Sequence, residues 1–281
     1  MQTTTNRPAD ITTPDTDLWQ LKMFKRSLKK QQKLAALLRV LGPLQEEACL
    51  LVTCGDNNGA LNWHYKQHGG QWSWADAEQD SLDQIREVTG DPVSQFDKTD
   101  PVLHYPDSSF DIVLTIDVHE HLENPQAVNK ELYRVVKPGG RVIVTTPGGN
   151  PKKLANRIKH WVGMRKEDYG HIVDGYDVHE LEQQLIEAGL TPKIKTSYSR
   201  FFTEIVELAI NLIFVKILAR RKKVQTTTGQ IAPQNKEQIK SIEKTYKLYS
   251  LLYPFILVFS KLDYLILFIS GYAAIVAAEK E

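Results

Sequence analysis

The sequence predicts an α/β fold, a mostly parallel sheet covered by helices, and three observations carry that expectation. Short β-branched apolar runs alternate with longer segments of helical periodicity from about residue 49 to residue 198. The first run, "LLVTCG", passes through a glycine-bounded loop straight into a helical pattern. The composition is that of a globular chain, 42% hydrophobic and 25% charged, with a formal net charge of +1 over 281 residues. Bulk charge therefore singles out no polyanionic partner, and nucleic acid is not expected.

The N-terminal "MQTTTNRPADITTPDTD" is polar and carries no apolar signal-peptide core, so residues 1–17 read as a disordered tail and the location as cytoplasmic. A helix over 18–41 follows, with Leu21, Phe24, Leu28, Leu34, Leu37, Leu38 and Leu41 on one stripe and Gly42 at its end. Its Lys22, Lys25, Arg26, Lys29, Lys30, Lys33 and Arg39 predict either a solvated face or a basic face for anionic lipid. Strands are expected at 49–54, 71–75, 93–97, 111–116, 141–146 and about 193–198, with helices from Ala60, around 78–88 and over 125–136 between them. Asn124 followed by Pro125 marks a helix start, and "KPGG" at 137–140 stops that helix and turns the chain into "RVIVTTP". Asp177 with Glu180 forms a capping-box pattern for the next helix, which Gly189 closes. The two cysteines, Cys49 and Cys54, have no second pair with which to build a zinc site or a disulfide framework, and they read as reduced core thiols.

After residue 200 the composition shifts. Two apolar runs, 201–219 and 248–269, flank a polar linker, and "GYAAIVAAEKE" offers one more strand. The expected organisation is therefore a tail at 1–17, a domain over 18–200, an apolar helical insertion over 201–269, and the last strand of the domain in 270–281. Glu204, Glu207 and Lys216 interrupt the first run, and Pro254, Lys261 and Asp263 the second, which disfavours a simple bilayer crossing. A helical cap lying on the membrane or over an apolar acceptor is the favoured reading, ahead of an internal helical subdomain and a re-entrant hairpin.

The chemistry begins at "CGDNNG". A strand, a glycine turn and a helix N-terminus let backbone N–H groups approach an anionic ligand group, and Gly55 and Gly59 stand where a side chain would block that approach. Asp76 ends the second strand, placed to accept hydrogen bonds from two ribose hydroxyls. "HYPDSSFDIVLTIDVHEHLENPQAVNKELYRVVKPGGRVIVTTPG" (104–148) resembles the central block of class I S-adenosylmethionine (SAM)-dependent methyltransferases, and "GHIVDGYDVHELEQQLIEAGL" (170–190) is similar to their substrate-side loop and following helix.

The resemblance covers about residues 45–200 and the last strand. It implies a Rossmann-like, seven-stranded, mostly parallel sheet with helices on both faces and a helical apolar insertion before the last strand. It implies SAM as cofactor, with Gly55, Asn57 and Gly59 along the methionine part, Asp76 on the ribose, Asp97 (or Asp100) near the adenine amine, and Asp117 facing the sulfonium and the acceptor. Two positions depart from the family. Thr53 stands for an acid, and Asn57 for a glycine, the latter tolerated because Asn adopts left-handed backbone readily. His119, Glu120 and His121 lie beside Asp117, and His121, Glu120 and His171 are the expected catalytic side chains, with a base serving a hydroxyl acceptor. Asp117, Glu120 and His121 match an acid-x-x-Glu-His metal pattern of quinone-biosynthesis relatives. No fourth ligand is identifiable, so no metal is expected. The resulting expectation is O-methylation of a small, apolar or lipid-linked acceptor, with an anionic membrane surface at the inner face as partner. The rivals are a catalytically silent membrane scaffold and a nicotinamide-dependent dehydrogenase, although "CGDNNG" lacks the G-x-G-x-x-G spacing of the latter.

Overall fold

The computed structural model describes residues 18–213, 240 and 243–281. The tail 1–17, the linker expected at 220–238 and the end of the first apolar run lie outside the described residues. The strands are β1 (Ala48–Thr53), β2 (Gln71–Asp76), β3 (Val93–Gln95), β4 (Phe110–Ile116), β5 (Val136–Pro147), β6 (Thr191–Tyr198) and β7 (Ala273–Glu279). They form one sheet in the order β3-β2-β1-β4-β5-β7-β6. The first five run parallel, and β7 inserts antiparallel between β5 and β6. Both faces are covered, so these strands read as continuous apolar runs. β1 and β7 are buried along almost their whole length.

The helices are α1 (Trp19–Phe24), α2 (Leu28–Leu41), α3 (Ala60–His68), α4 (Gln79–Thr89), α5 (Pro125–Val135), α6 (Leu154–Trp161), α7 (Val178–Glu187), α8 (Phe201–Asn211) and α9 (Glu243–Ser260). One core, around Leu37, Leu41, Leu51, Tyr65 and Trp74, holds α1 to α4 against one sheet face. The other, around Val52, Val113, Leu132, Val144 and Leu181, holds α5 and α7 against the opposite face. The capping box at Asp177 and Glu180 forms as expected, and both cysteines are buried and free.

Three boundaries differ from expectation. The helix foreseen over 18–41 breaks at 25–27, where Gln31 Nε2 donates to Phe24 O at 3.1 Å and Tyr249 Oη donates to Arg26 O, so side chains satisfy the carbonyls the break frees. β5 starts before "KPGG", and the pairing slips between Phe110 opposite Val136 and Ile112 opposite Arg141, so 137–140 bulge from the ladder. The insertion is helical but not an isolated module, because α8 packs on α2 and α6 while α9 packs on α8.

Candidate active site

The carboxyl ends of β1, β4 and β5 open on a cavity roofed by α2, α6 and α8. The loop after β1 is its floor. Gly55 (φ 81°), Asp56 (φ 47°) and Gly59 (φ 79°) take left-handed backbone. At Gly59 a Cβ would come within 2.8 Å of Gln84 O, so the loop's approach to α4 requires glycine there. Asn57 does not take left-handed backbone; its place in the loop rests on its side chain instead. Its Nδ2 donates to Thr53 Oγ1 and to Asn62 Oδ1, both at 3.0 Å, and its Oδ1 accepts from Gly59 N at 2.9 Å. Thr53 in turn donates to Asp76 Oδ2 at 2.5 Å. The two family departures therefore interlock and brace the loop from within.

Asp76 ends β2 as the sequence suggested, with its carboxylate turned toward the loop. It is fully buried, and its Oδ1 accepts from Gly55 N and Glu78 N, each at 2.9 Å. Burial pushes its carboxyl up to about 6 against three hydrogen bonds that oppose the shift. It lines neither that cavity nor a second one beyond β2 and β3. Glu78 lines that second cavity, and its Cγ lies 2.9 Å from where a Cβ on Gly55 would stand. Glu78 pairs with Lys98. Asp97 lines the same cavity, its Oδ1 accepting from Thr99 N and Thr99 Oγ1 at 2.8 Å, while Asp100 does not.

On the far side of the floor, β4 ends at Asp117 in left-handed backbone (φ 51°). Its carboxylate pairs with Lys33 of α2. Burial would raise the Asp117 carboxyl, but the Lys33 ammonium holds it below the ordinary carboxylate range. Lys29, one turn earlier, bonds Glu204 of α8 at 2.9 Å. Burial opposes its charge, yet Glu204 and Glu207 raise its pKa. Thus three of the seven cations read as a solvated or lipid-facing helix, Lys29, Lys30 and Lys33, instead line the cavity. A helical signal was available: 29, 33, 37 and 41 form one i, i+4 ridge, and Leu37 and Leu41 at its end are core.

A 3₁₀ turn, His119–His121, follows Asp117. His119 points into the core and bonds Asn129 Oδ1 at 2.7 Å, a packing role. His121 donates from Nδ1 to Gly170 O at 3.0 Å, which leaves Nε2 with the lone pair. Its ring stands edge-on to His171 with centroids 4.7 Å apart. The His171 loop is pinned by Ile172 N donating to Glu120 O at 2.8 Å and Tyr176 N to Pro147 O at 2.9 Å. Burial lowers His121 and takes His171 down to about 3, so both rings are neutral near pH 7. Glu120 is raised by burial and by Asp117, and its Oε1 has no hydrogen-bond partner among the described residues. Glu120, His121 and His171 each bring one ligand atom within 4.8 Å of the others. Asp117, expected in such a group, is held by Lys33 instead.

A β3-β2-β1-β4-β5-β7-β6 sheet with a glycine loop after β1 and carboxylates after β2 and β4 is the class I methyltransferase arrangement. The family profile described as "Methyltransferase domain" matches residues 50–144. The chain is similar to a ubiquinone biosynthesis O-methyltransferase of Cereibacter sphaeroides (26% identity over 159 residues, 53% of this chain and 63% of that one). It is also similar to phosphoethanolamine N-methyltransferase 1 of Arabidopsis thaliana (26% over 113 residues, 39% and 21%). In both cases the match spans less than two thirds of the relative's length. Among solved structures, phosphoethanolamine N-methyltransferase 2 of Haemonchus contortus in complex with SAM superposes with a TM-score of 0.52 at 17% identity, covering 88% of this chain and 52% of that one, a likeness of fold.

Residues 50–144 thus match a methyltransferase domain on a class I fold, and the cofactor that this resemblance implies is SAM. The donor set fits that group. Lys33 and Asp117 offer a cation and an anion beside the glycine loop, matching an amino-acid zwitterion, and Glu78 offers an acceptor at the edge of the second cavity.

Proposed function

We propose that the chain transfers a methyl group from SAM to the hydroxyl of a small, apolar or lipid-borne acceptor. The observation that carries this reading is the single cavity in which the glycine loop, Asp117, Glu120, His121 and His171 meet an outer wall formed by Leu208 and Asn211 of the insertion. SAM supplies the activated methyl. Lys33 and Asp117 hold its amino-acid end, the loop braced by Asp76, Thr53 and Asn57 holds the backbone contacts, and Glu78 takes the ribose hydroxyls. In-line positioning accounts for much of the rate. His121 Nε2 takes the acceptor's proton, its tautomer fixed by Gly170 O. Relatives of this chain carry names for both oxygen and nitrogen methylation, so the preference for oxygen rests on these neutral imidazoles.

Calorimetry with S-adenosylhomocysteine tests the assignment. The wild type binds, Glu78→Ala binds at least about tenfold more weakly, as befits lost hydrogen bonds to a charged group, and His121→Ala lowers turnover while leaving this affinity intact. No binding by the wild type would remove the methyltransferase reading. Equal affinity of Glu78→Ala would return the ribose to Asp76. The close approach of Glu120, His121 and His171 supports a second reading, a divalent cation among them. Loss of methyl transfer on chelation, restored by magnesium, would favour it over the proton-acceptor role.

A further inference from the structure

The largest feature the methyl-transfer reading leaves unused is an apolar ridge along α9 and the 3₁₀ turn Lys261–Ile266 that follows it. Leu251, Phe255, Val258, Tyr264, Leu265 and Phe268 are each two thirds or more exposed. Soluble monomers rarely leave so many large side chains in water along one stretch. The opposite side of α9 is a tyrosine face fixed to the domain: Tyr249 donates to Arg26 O, and Tyr253 Oη accepts from Gln31 Nε2 at 3.0 Å. Asp263, read from sequence as a charge interrupting an apolar run, is turned inward, where its Oδ1 accepts from Phe202 N at 2.8 Å and caps α8. The ridge therefore shows its apolar side outward on a firmly anchored base.

We infer that this ridge docks on an anionic lipid surface, lying in the interface and not crossing it. The helical segment Glu243–Ile266 is long and apolar enough to cross a membrane by length and composition, but its charge-free part, residues 248–260, is 13 residues and reaches only about 20 Å against the ~30 Å of a bilayer core. Lys247 and Lys261 bound that stretch, and Lys22 on α1, Lys25 just after it and Lys244 in the first turn of α9 are exposed, with Tyr246 Oη meeting Lys22 O at 3.5 Å. Lys247 also pairs with Glu243 at 2.6 Å. Lysines beside an apolar helix face suit phospholipid headgroups, whereas protein interfaces are depleted of lysine. Of the lysines the sequence put forward, Lys22 and Lys25 stay on this side, joined by Lys244, Lys247 and Lys261, whereas Lys29, Lys30 and Lys33 serve the cavity. The ridge backs on α8, whose other side carries Glu204, Glu207, Leu208 and Asn211 into that cavity, so docking brings the site to the membrane.

Co-sedimentation of the full chain with vesicles of phosphatidylcholine, with and without 30% phosphatidylglycerol, tests this independently of any methyl transfer. The wild type is expected to pellet with the mixed vesicles at 0.1 M salt, and severalfold less without the anionic lipid or at 0.5 M salt. Leu251→Ser/Phe255→Ser, both at exposed positions, should weaken binding at least about tenfold with thermal midpoint and S-adenosylhomocysteine affinity unchanged. Phe268→Trp should shift its emission to the blue on adding vesicles. A wild type that stays in the supernatant at low salt overturns the proposal, and would leave a partner protein to cover the ridge. A wild-type dimer that the double substitution dissociates, with no change in pelleting, overturns it in favour of a second copy.

Discussion

Asp76 and Thr53 are paired across β1 and β2, and the short hydrogen bond between them stands where two acids would repel. A threonine beside a buried carboxylate donates a proton and takes one from Asn57, so one hydroxyl joins strand end to loop. The arrangement has a pH signature. A carboxyl raised from 3.8 to about 6 holds its proton more tightly when folded, so its contribution to stability is complete below 3.8 and is lost as pH rises through 6. The size is about 3 kcal/mol. Asp76→Asn keeps an oxygen for Gly55 N and Glu78 N, and its amide can donate to Thr53. It is therefore expected to gain on the wild type by about 2 kcal/mol between pH 4.5 and pH 8 in urea denaturation, the rest of the shift lying below pH 4.5. Parallel pH dependence of the two proteins would show that Asp76 is ionised without cost.

At the scale of elements, α2 is the piece whose role changes most between sequence and structure. Its leucine stripe, like the β1-loop-α3 unit and the Asp177 cap, was legible because periodicity and turn chemistry are local. The cavity side of α2 was not, since Lys29 and Lys33 find Glu204 and Asp117 at sequence separations of 175 and 84. Glu78 was passed over for the same reason, because only the packing of Gly55 under its Cγ reveals that it, and not Asp76, borders the second cavity. Lys33→Met tests the placement. The Lys33 side chain is 10% exposed and that of Asp117 34%, so screening reduces the cost of the orphaned carboxylate below that of a sealed pair, to about 1–3 kcal/mol. Adding Asp117→Asn should recover most of that stability in thermal melts. It should not recover S-adenosylhomocysteine affinity, expected to fall about tenfold in the single variant. Recovery of both would make the pair a purely structural brace.

For the whole molecule, the insertion is a loop between two strands already joined. Tyr198 at the end of β6 lies opposite Ala273 at the start of β7, and Tyr272 N donates to Ser199 O at 2.7 Å. The sheet thus closes before the chain departs for α8 and α9, and all seven strands are independent of them. Replacing residues 200–271 by Asn-Gly creates a two-residue hairpin between Ser199 and Tyr272, with a turn type suited to the strand twist. Such a protein is expected to unfold cooperatively, with reduced helical signal and a lower thermal midpoint, because Lys29 loses Glu204 and α2 loses its cover. S-adenosylhomocysteine should still bind within about tenfold of wild type, since the glycine loop, Glu78, Lys33 and Asp117 all remain. Vesicle binding and methyl transfer to an apolar acceptor should both disappear with the ridge and the α8 wall. If cofactor affinity collapses while the sheet stays folded, α8 belongs to the cofactor site; if vesicle binding survives, the membrane contact lies on the domain itself.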